Sequence, residues 1–407
     1  MEGLHARING ALESRKAKGA LRKLRIPVST ACDFSSNDYL GFCTNYKYQQ
    51  FVAKYITSHP RAPSSTGSTG SRLLSGHSRR VELFESTAAT FHCAQTALLM
   101  NSGYDANLSL LSSVPGPQDA IIHDELIHAS VHDGMRMSRA RNNLFAFRHN
   151  DVRSMTANVR KAVSQHPGSV IVCVESVYSM DGDLAPLVDL LNSLCALEKQ
   201  LSREMYLIVD EAHSGGLYGP NGAGLCVHHK IQNHPNLLAR VVTHGKAFAA
   251  HGAVILGSAT LKLYLVNYAR PFIYSTALPP HSVAVLQAVY TFMKSLEAHK
   301  ARRRVWSLVD HFYTYASTRL PSDCILHHKV KTPIEGIAIP GNTQCVRVAN
   351  KLIKKGFDVY PIRSPTVPRG MERIRIIIHA HNTEGEIERL VTAIAQTLEN
   401  EKARPKL

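Results

Sequence analysis

Between Ala97 and Leu256 short apolar runs alternate with longer amphipathic stretches, the pattern of strands and helices in a covered sheet. Ala120–His123, Val170–Val174, Leu207–Asp210, Arg240–Thr243 and Ala253–Leu256 read as buried strands. Most are followed by a polar or glycine-containing turn, where open α/β sheets place ligand-binding residues. After Pro279-Pro280 a helix over 281–296 is predicted, leading into Arg302-Arg303-Arg304. Beyond it come fewer strands, at 336–339, 357–360 and 373–378, with helices over 345–354 and 383–398. The pattern predicts an α/β fold with a mostly parallel sheet in a large domain and a smaller C-terminal α/β domain. The expected division is an N-terminal helix and arm over 1–44, the large domain over 45–285 and the small one over 286–407.

Composition narrows the classes. With 407 residues, 44% of them hydrophobic, the chain can bury a large core, which argues against disorder. Lys and Arg number 47 against 31 acidic residues, a net +16 that leaves nucleic acid, an acidic membrane or anionic small molecules open. The charge is dispersed; its densest stretch, Ser14 to Arg25, reads as an amphipathic helix with Leu21 and Leu24, and no nucleic-acid motif accompanies it. Eight cysteines stand singly without a C-x-x-C pair, which favours reduced thiols in an intracellular protein and no metal site. No apolar run approaches the ~20 residues that span a bilayer.

Four segments carry candidate chemistry. Lys246 follows a strand in Thr243-His244-Gly245-Lys246, where partial desolvation suits a lysine to form an imine. A lone loop lysine says little. Asp210 ends another strand and His213 follows it; an aspartate so placed can pair with a protonated pyridine nitrogen, though it can equally cap a helix. Asn101-Ser102-Gly103-Tyr104 enters a predicted helix whose first amides, of Gly103 and Tyr104, would cradle a phosphate. His128 lies just past a strand, where an imidazole can stack on a flat ring, although a single histidine among 22 is more often structural.

Together with Phe34-Ser-Ser-Asn-Asp-Tyr-Leu-Gly41, Gly67-Ser-Thr-Gly-Ser-Arg72, Glu175 to Asp183 and Arg270 to Thr276, these segments resemble the α-oxoamine synthases. These are enzymes dependent on pyridoxal 5'-phosphate (PLP) that condense an amino acid with an acyl-CoA and release carbon dioxide. The resemblance runs from the N-terminal helix to about Ala395 and implies a PLP-dependent transferase fold of type I. Ile362-Arg-Ser-Pro-Thr-Val-Pro368 resembles the branch that joins L-alanine to pimeloyl-CoA, or its acyl-carrier thioester, in biotin biosynthesis, with Ser364 where that branch has proline. A relative using glycine or serine with another acyl-CoA, in secondary metabolism, is the alternative.

What the resemblance implies can be stated residue by residue. Lys246 would hold PLP and act as general base, Asp210 would pair with its ring nitrogen, His213 would bond the ring hydroxyl and His128 would stack on the ring. Ser179 would lie beside the cofactor. Thr243 and the Gly103 and Tyr104 amides would hold the phosphate, with Ser275 or Thr276 reaching it from a neighbouring subunit, so a homodimer is expected. Arg375 would grip the amino-acid carboxylate, and Arg22, Asn37, Arg363 and Thr366 would contact substrate. Neither nucleic acid nor membrane is an expected partner.

The chain departs from the family pattern at Gly215, where threonine is usual, and at Ala247 and Ala249, which can be glycine. The strand between the N-terminal helix and Phe34 looks trimmed. The final Pro405-Lys406-Leu407 resembles a peroxisomal address and reads otherwise as an ordinary tail of a cytoplasmic protein.

Overall fold

The computed structural model describes residues 3–26, 28, 30–58, 66–326 and 330–402. Its strands are β1 (Cys32–Asp33), β2 (Thr96–Met100), β3 (Ala120–Asp124), β4 (Leu144–Phe147), β5 (Val170–Glu175), β6 (Met205–Asp210), β7 (Leu237–Thr243), β8 (Ala253–Gly257), β9 (Ile334–Ala338), β10 (Phe357–Asp358), β11 (Tyr360–Ile362) and β12 (Arg373–Ile377). The chain divides into two units. The larger holds 40–178 and 184–302; the smaller holds the residues up to Tyr39, Ser179–Asp183 and Arg303 onward. The expected breaks lay at 44/45 and 285/286. Helix Pro280–Phe292 stays with the larger unit because Phe292 packs against Phe42, Tyr48 and Phe51, and Tyr290 against Phe84 and Phe91.

The larger unit is built on a seven-stranded sheet in the order β2-β8-β7-β6-β5-β3-β4. β7, β6, β5, β3 and β4 run parallel, while β8 is antiparallel to both β7 and β2. Parallel neighbours need long crossovers, and helices such as Leu187–Leu201 supply them. The link from β7 to β8, His244–Gly252, holds no helix, so β8 returns alongside β7 in the opposite sense. Ile121, Ile171, Ile208, Val241 and Ile255 project from the strands into one core with Leu110, Leu111 and Val131 of the covering helices. The inner strands β5 and β6 are largely apolar up to their terminal Glu175 and Asp210 because both faces are covered.

The smaller unit holds the antiparallel sheet β11-β12-β9 and the parallel pair β1-β10. Ser179–Asp183 joins this unit by specific bonds. Arg373 pairs with Asp181, Arg375 Nη1 donates to the Ser179 carbonyl (3.0 Å), and Thr332 Oγ1 donates to the Gly182 carbonyl (2.6 Å). Gly182 has φ +80° and a Cβ there would lie 2.0 Å from the Ile334 carbonyl oxygen, so only glycine fits.

Three sequence expectations are corrected. The first helix covers Leu4–Ala17, not Ser14 to Arg25; Gly19 at φ +61° ends it and leaves Arg22 outside. The helix over 281–296 breaks after Phe292, and a second, Leu296–Arg319, starts where Ser295 Oγ accepts from the Ala298 amide and takes in the three arginines. The strand expected to be trimmed before Phe34 is the two-residue β1, which pairs with β10. The stretch 357–360 also splits into β10 and β11 around the buried Val359.

Candidate active site

In the larger unit the candidate groups gather at the carboxyl ends of β6 and β7. Asp210 is the last residue of β6 and is buried. Its Oδ1 accepts from the Ala212 amide (2.9 Å) and its Oδ2 from Asn107 Nδ2 (2.7 Å), so the carboxylate is fixed in direction. His213 stands on the following turn with Nε2 2.7 Å from Lys246 Nζ. Lys246 itself occupies the turn after β7, which His244 closes by donating its amide to the Gly252 carbonyl (2.9 Å) and accepting from the Ala250 amide (2.9 Å).

Gly103 and Tyr104 open helix Gly103–Ser113. Ser102 caps it, accepting from the Asp105 amide (3.0 Å) and donating to the Asp105 carboxylate (2.9 Å). A Cβ at Gly103 would lie 3.2 Å from Thr243 Cβ and 3.3 Å from its Oγ1, so the missing side chain brings the helix start and the end of β7 together. Open amides and a positive helix end facing a hydroxyl suit a phosphate. Ser275 follows helix Arg270–Tyr274, and the carbonyl of Thr276 accepts from Asn101 Nδ2 (2.9 Å) of this same chain.

His128 caps helix Ala129–Met137. Its Nδ1 accepts from the Ser130 amide (3.2 Å) and meets Ser130 Oγ at 2.8 Å, which leaves Nε2 to carry the hydrogen of a neutral ring. Burial pushes this imidazole below its ordinary value, with Asp210 opposing and Lys246 adding to the effect. Ser130 Oγ in turn accepts from Asn107 Nδ2 (3.0 Å). Asn107 and Ser130 were not among the sequence candidates. Asn107 lies one helical turn beyond Gly103, a spacing that marks it as facing the same way.

The remaining candidates lie in the smaller unit. Arg375 in β12 is half-buried, donating to the Ser179 carbonyl and more loosely to Asn37 Oδ1 (3.4 Å), while its Nε has no partner among the described residues. Arg22, Arg363 and Thr366 line one cavity of about 260 Å³ with Tyr360 and Pro361. Arg363 reaches back to the Gly19 carbonyl (2.6 Å). A set with metal-ligand chemistry, Asp33, His379 and His381, also occurs here. His379 Nε2 is taken by the Ser36 carbonyl (3.0 Å) and Nδ1 lies 3.2 Å from Asn382 Oδ1, so its ring braces the Ser36 turn.

The departures from the family pattern have local causes. A Cβ at Gly215 would meet Val242 Cγ1 at 2.9 Å and the Glu211 carbonyl oxygen at 3.3 Å, so threonine does not fit beside Val242. Ala249 holds φ +48°, a left-handed conformation that explains why glycine also serves there. Ala247 is fully buried. Among the described residues no helix is long and apolar enough to cross a membrane. The C-terminal tripeptide lies outside the described residues.

A lysine, a carboxylate at a strand end, and a helix start stripped of side chain beside a threonine fit PLP, with amine, pyridine-nitrogen partner and phosphate cradle all supplied. The fold and these groups define a PLP-dependent transferase. Residues 29–394 match the family described as aminotransferase class I and II. The chain belongs to that family and, within it, to the α-oxoamine synthases. It is 38% identical to the 8-amino-7-oxononanoate synthase of Emericella nidulans over 97% of this chain and 96% of that protein. It is 36% identical to the aminoacyl transferase sphA of Aspergillus fumigatus, over 89% and 80% respectively. In structure it resembles the serine palmitoyltransferase of S. paucimobilis, solved with a bound PLP–myriocin aldimine, at a TM-score of 0.84 and 22% identity over 99% of this chain and 100% of that one.

Proposed function

We propose that the protein joins L-alanine to a pimeloyl thioester, releasing the thiol carrier and carbon dioxide and forming 8-amino-7-oxononanoate, the biotin-type reaction. The observation that carries the reading is the 38% identity to such a synthase along nearly the whole of both chains. The cavity shared by Arg22, Arg363 and Thr366 supports it, because two guanidinium groups suit an acyl substrate that bears an anion.

PLP, when bound, supplies the sink for the electron pair left at the substrate Cα. Lys246 would hold the cofactor through its amine and would serve as the general base that takes the α-proton and returns a proton to the product. Asp210, fixed by Asn107 and the Ala212 amide, keeps the ring nitrogen protonated. His213 lies at Lys246 Nζ and bonds the ring hydroxyl. His128, with Nδ1 occupied by Ser130, would stack on the cofactor ring and offer Nε2–H as a donor. Thr243 and the Gly103 and Tyr104 amides hold the phosphate, with Ser179, Ser275 and Thr276 as further cofactor contacts. Arg375, whose Nε awaits an acceptor, grips the amino-acid carboxylate, steadied by Asn37.

The active form is a homodimer. Exposed Leu73, Leu74, Leu263 and Tyr274, all in the larger unit, are the kind of apolar surface that a second copy covers. The test of function is to mix purified protein with PLP, L-alanine and pimeloyl-CoA and follow CoA release and the amino-ketone by mass. CoA release with glycine or serine only would replace the biotin-type reading by that of an α-oxoamine synthase with another amino acid; the 36% identity to an aminoacyl transferase supports this as the second choice.

A further inference from the structure

The Lys246–His213 pair sits on two turns, Asp210–Ser214 after β6 and His244–Gly252 after β7. Behind them runs a line of buried polar contacts that the proposed chemistry does not use. Glu211 accepts from the Cys226 amide (2.9 Å) and from Arg240 Nη1 (3.4 Å). Arg240, on β7, donates Nη2 to the His92 carbonyl (2.7 Å). The His92 ring then spans the Ala223 carbonyl at Nδ1 (2.8 Å) and the Tyr290 hydroxyl at Nε2 (2.8 Å). The same hydroxyl meets His244 Nε2 at 2.9 Å. All five side chains are 2% exposed or less.

The protons along this line have one arrangement. A carbonyl only accepts, so His92 Nδ1 carries hydrogen and, in a neutral ring, Nε2 accepts from the Tyr290 hydroxyl. The Tyr290 oxygen is then left to accept from His244 Nε2–H. Burial pushes both imidazoles down to about 3, so neither gains a second proton at neutral pH. Phe84 and Phe248 enclose His244 edge-on at 5.7 and 5.6 Å, and Tyr290 stacks on Phe248 at 5.3 Å. Phe248 belongs to the lysine turn itself. The line therefore begins one residue after Asp210 and ends two residues before Lys246, adding a directional link to the backbone bond from the Glu211 amide to the Val241 carbonyl (2.8 Å).

We propose that this buried line sets the distance between Lys246 and His213, with His92, Tyr290 and His244 as positioning residues for the lysine turn and Glu211 and Arg240 for the histidine turn. The kinetic consequence rests on Lys246 being the cofactor lysine; the positional claim does not. Without the link the lysine turn drifts, and an amine that leaves His213 for water carries its proton at neutral pH.

Tyr290→Phe tests this most cleanly, because it removes one hydroxyl and two hydrogen bonds while keeping the ring. His244→Gln keeps a donor near the place of Nε2, and His244→Leu removes it. Two rates are measured on the full chain: borohydride-trapped capture of PLP at Lys246, and reductive alkylation of Lys246 by propionaldehyde in cofactor-free protein, both read by peptide mass mapping. Tyr290→Phe and His244→Leu should slow both about tenfold, while His244→Gln stays within about threefold of the parent. A packing role alone would lower the melting midpoint, leave the rates of folded protein unchanged and make Gln no better than Leu. Parent-like rates for Tyr290→Phe below its melting midpoint would overturn the proposal, whether or not His244→Leu folds. If the parent captures no PLP while the aldehyde rates still follow the variants, the functional reading fails and the positioning line stands.

Discussion

Lys246 Nζ lies 2.7 Å from His213 Nε2, so one nitrogen donates to the other and the amine is held in a fixed direction. Lys246→Ala should therefore leave the protein folded but without a borohydride-trappable protein imine when PLP is added, and lower turnover by about 10²–10⁴-fold, the range of a lost general base. Absorbance after PLP addition, with borohydride trapping, checks this; a yellow, trappable Lys246→Ala protein would place the cofactor lysine elsewhere.

Asn107→Ala should weaken the hold on Asp210, because the Nδ2 bond to Oδ2 is 2.7 Å long and buried. A hydrogen bond to a charged group contributes about 1.5–3 kcal/mol, so kcat should drop about 10–100-fold. Asp210 keeps its Ala212 amide, and the melting midpoint should move little by comparison. Steady-state rates beside a thermal scan separate the two effects.

Arg375→Lys should raise KM for the amino acid about 10–100-fold and leave that for the thioester unchanged, because an ammonium cannot reproduce a fork. Equal changes in both KM values would mean that Arg375 serves the sheet rather than the substrate.

Stability should decline on acidification. His92 and His244 have folded values near 3 against an ordinary 6.5, so below pH 6.5 the unfolded chain binds protons that the native chain refuses. Their contribution is complete above 6.5 and is lost as pH falls toward 3, at up to about 1.4 kcal/mol per pH unit for each ring. Urea midpoints at pH 7, 6 and 5 test this, and a His92→Gln/His244→Gln double variant should show a flatter profile.

Gly215→Thr, which restores the usual family residue, should destabilise this chain by about 1–3 kcal/mol through overpacking on Val242 and the Glu211 carbonyl oxygen. Adding Val242→Ala should recover part of that loss in a denaturation midpoint.

Much of the candidate site was legible because it follows strand ends. Asp210 and Thr243 close buried apolar runs, and Gly103 follows a capping serine, so local signals mark all three. Partners recruited across sequence were not. Asn107 reaches Asp210 across 103 positions and Tyr290 reaches His92 across 198, and neither distance leaves a periodic trace. Helix ends failed where a local break overrode periodicity. Gly19 stops the first helix although basic and apolar residues continue beyond it, and Ser295 restarts a helix inside a run that reads as continuous.

The smaller unit is assembled from pieces at the beginning, middle and end of the chain, with Ser179–Asp183 pinned between Thr332, Arg373 and Arg375. During synthesis the strand β1 emerges first and must wait for β10, more than 300 residues later, before it has a neighbour. A ribosome-bound chain can close the seven-stranded sheet long before that. An excised fragment starting at Arg303 would keep β9, β11 and β12 but lose both β1 and the Gly182 turn, leaving the Arg373 guanidinium buried without its carboxylate. Such a fragment should aggregate on release, whereas co-expression with the preceding part of the chain should rescue it.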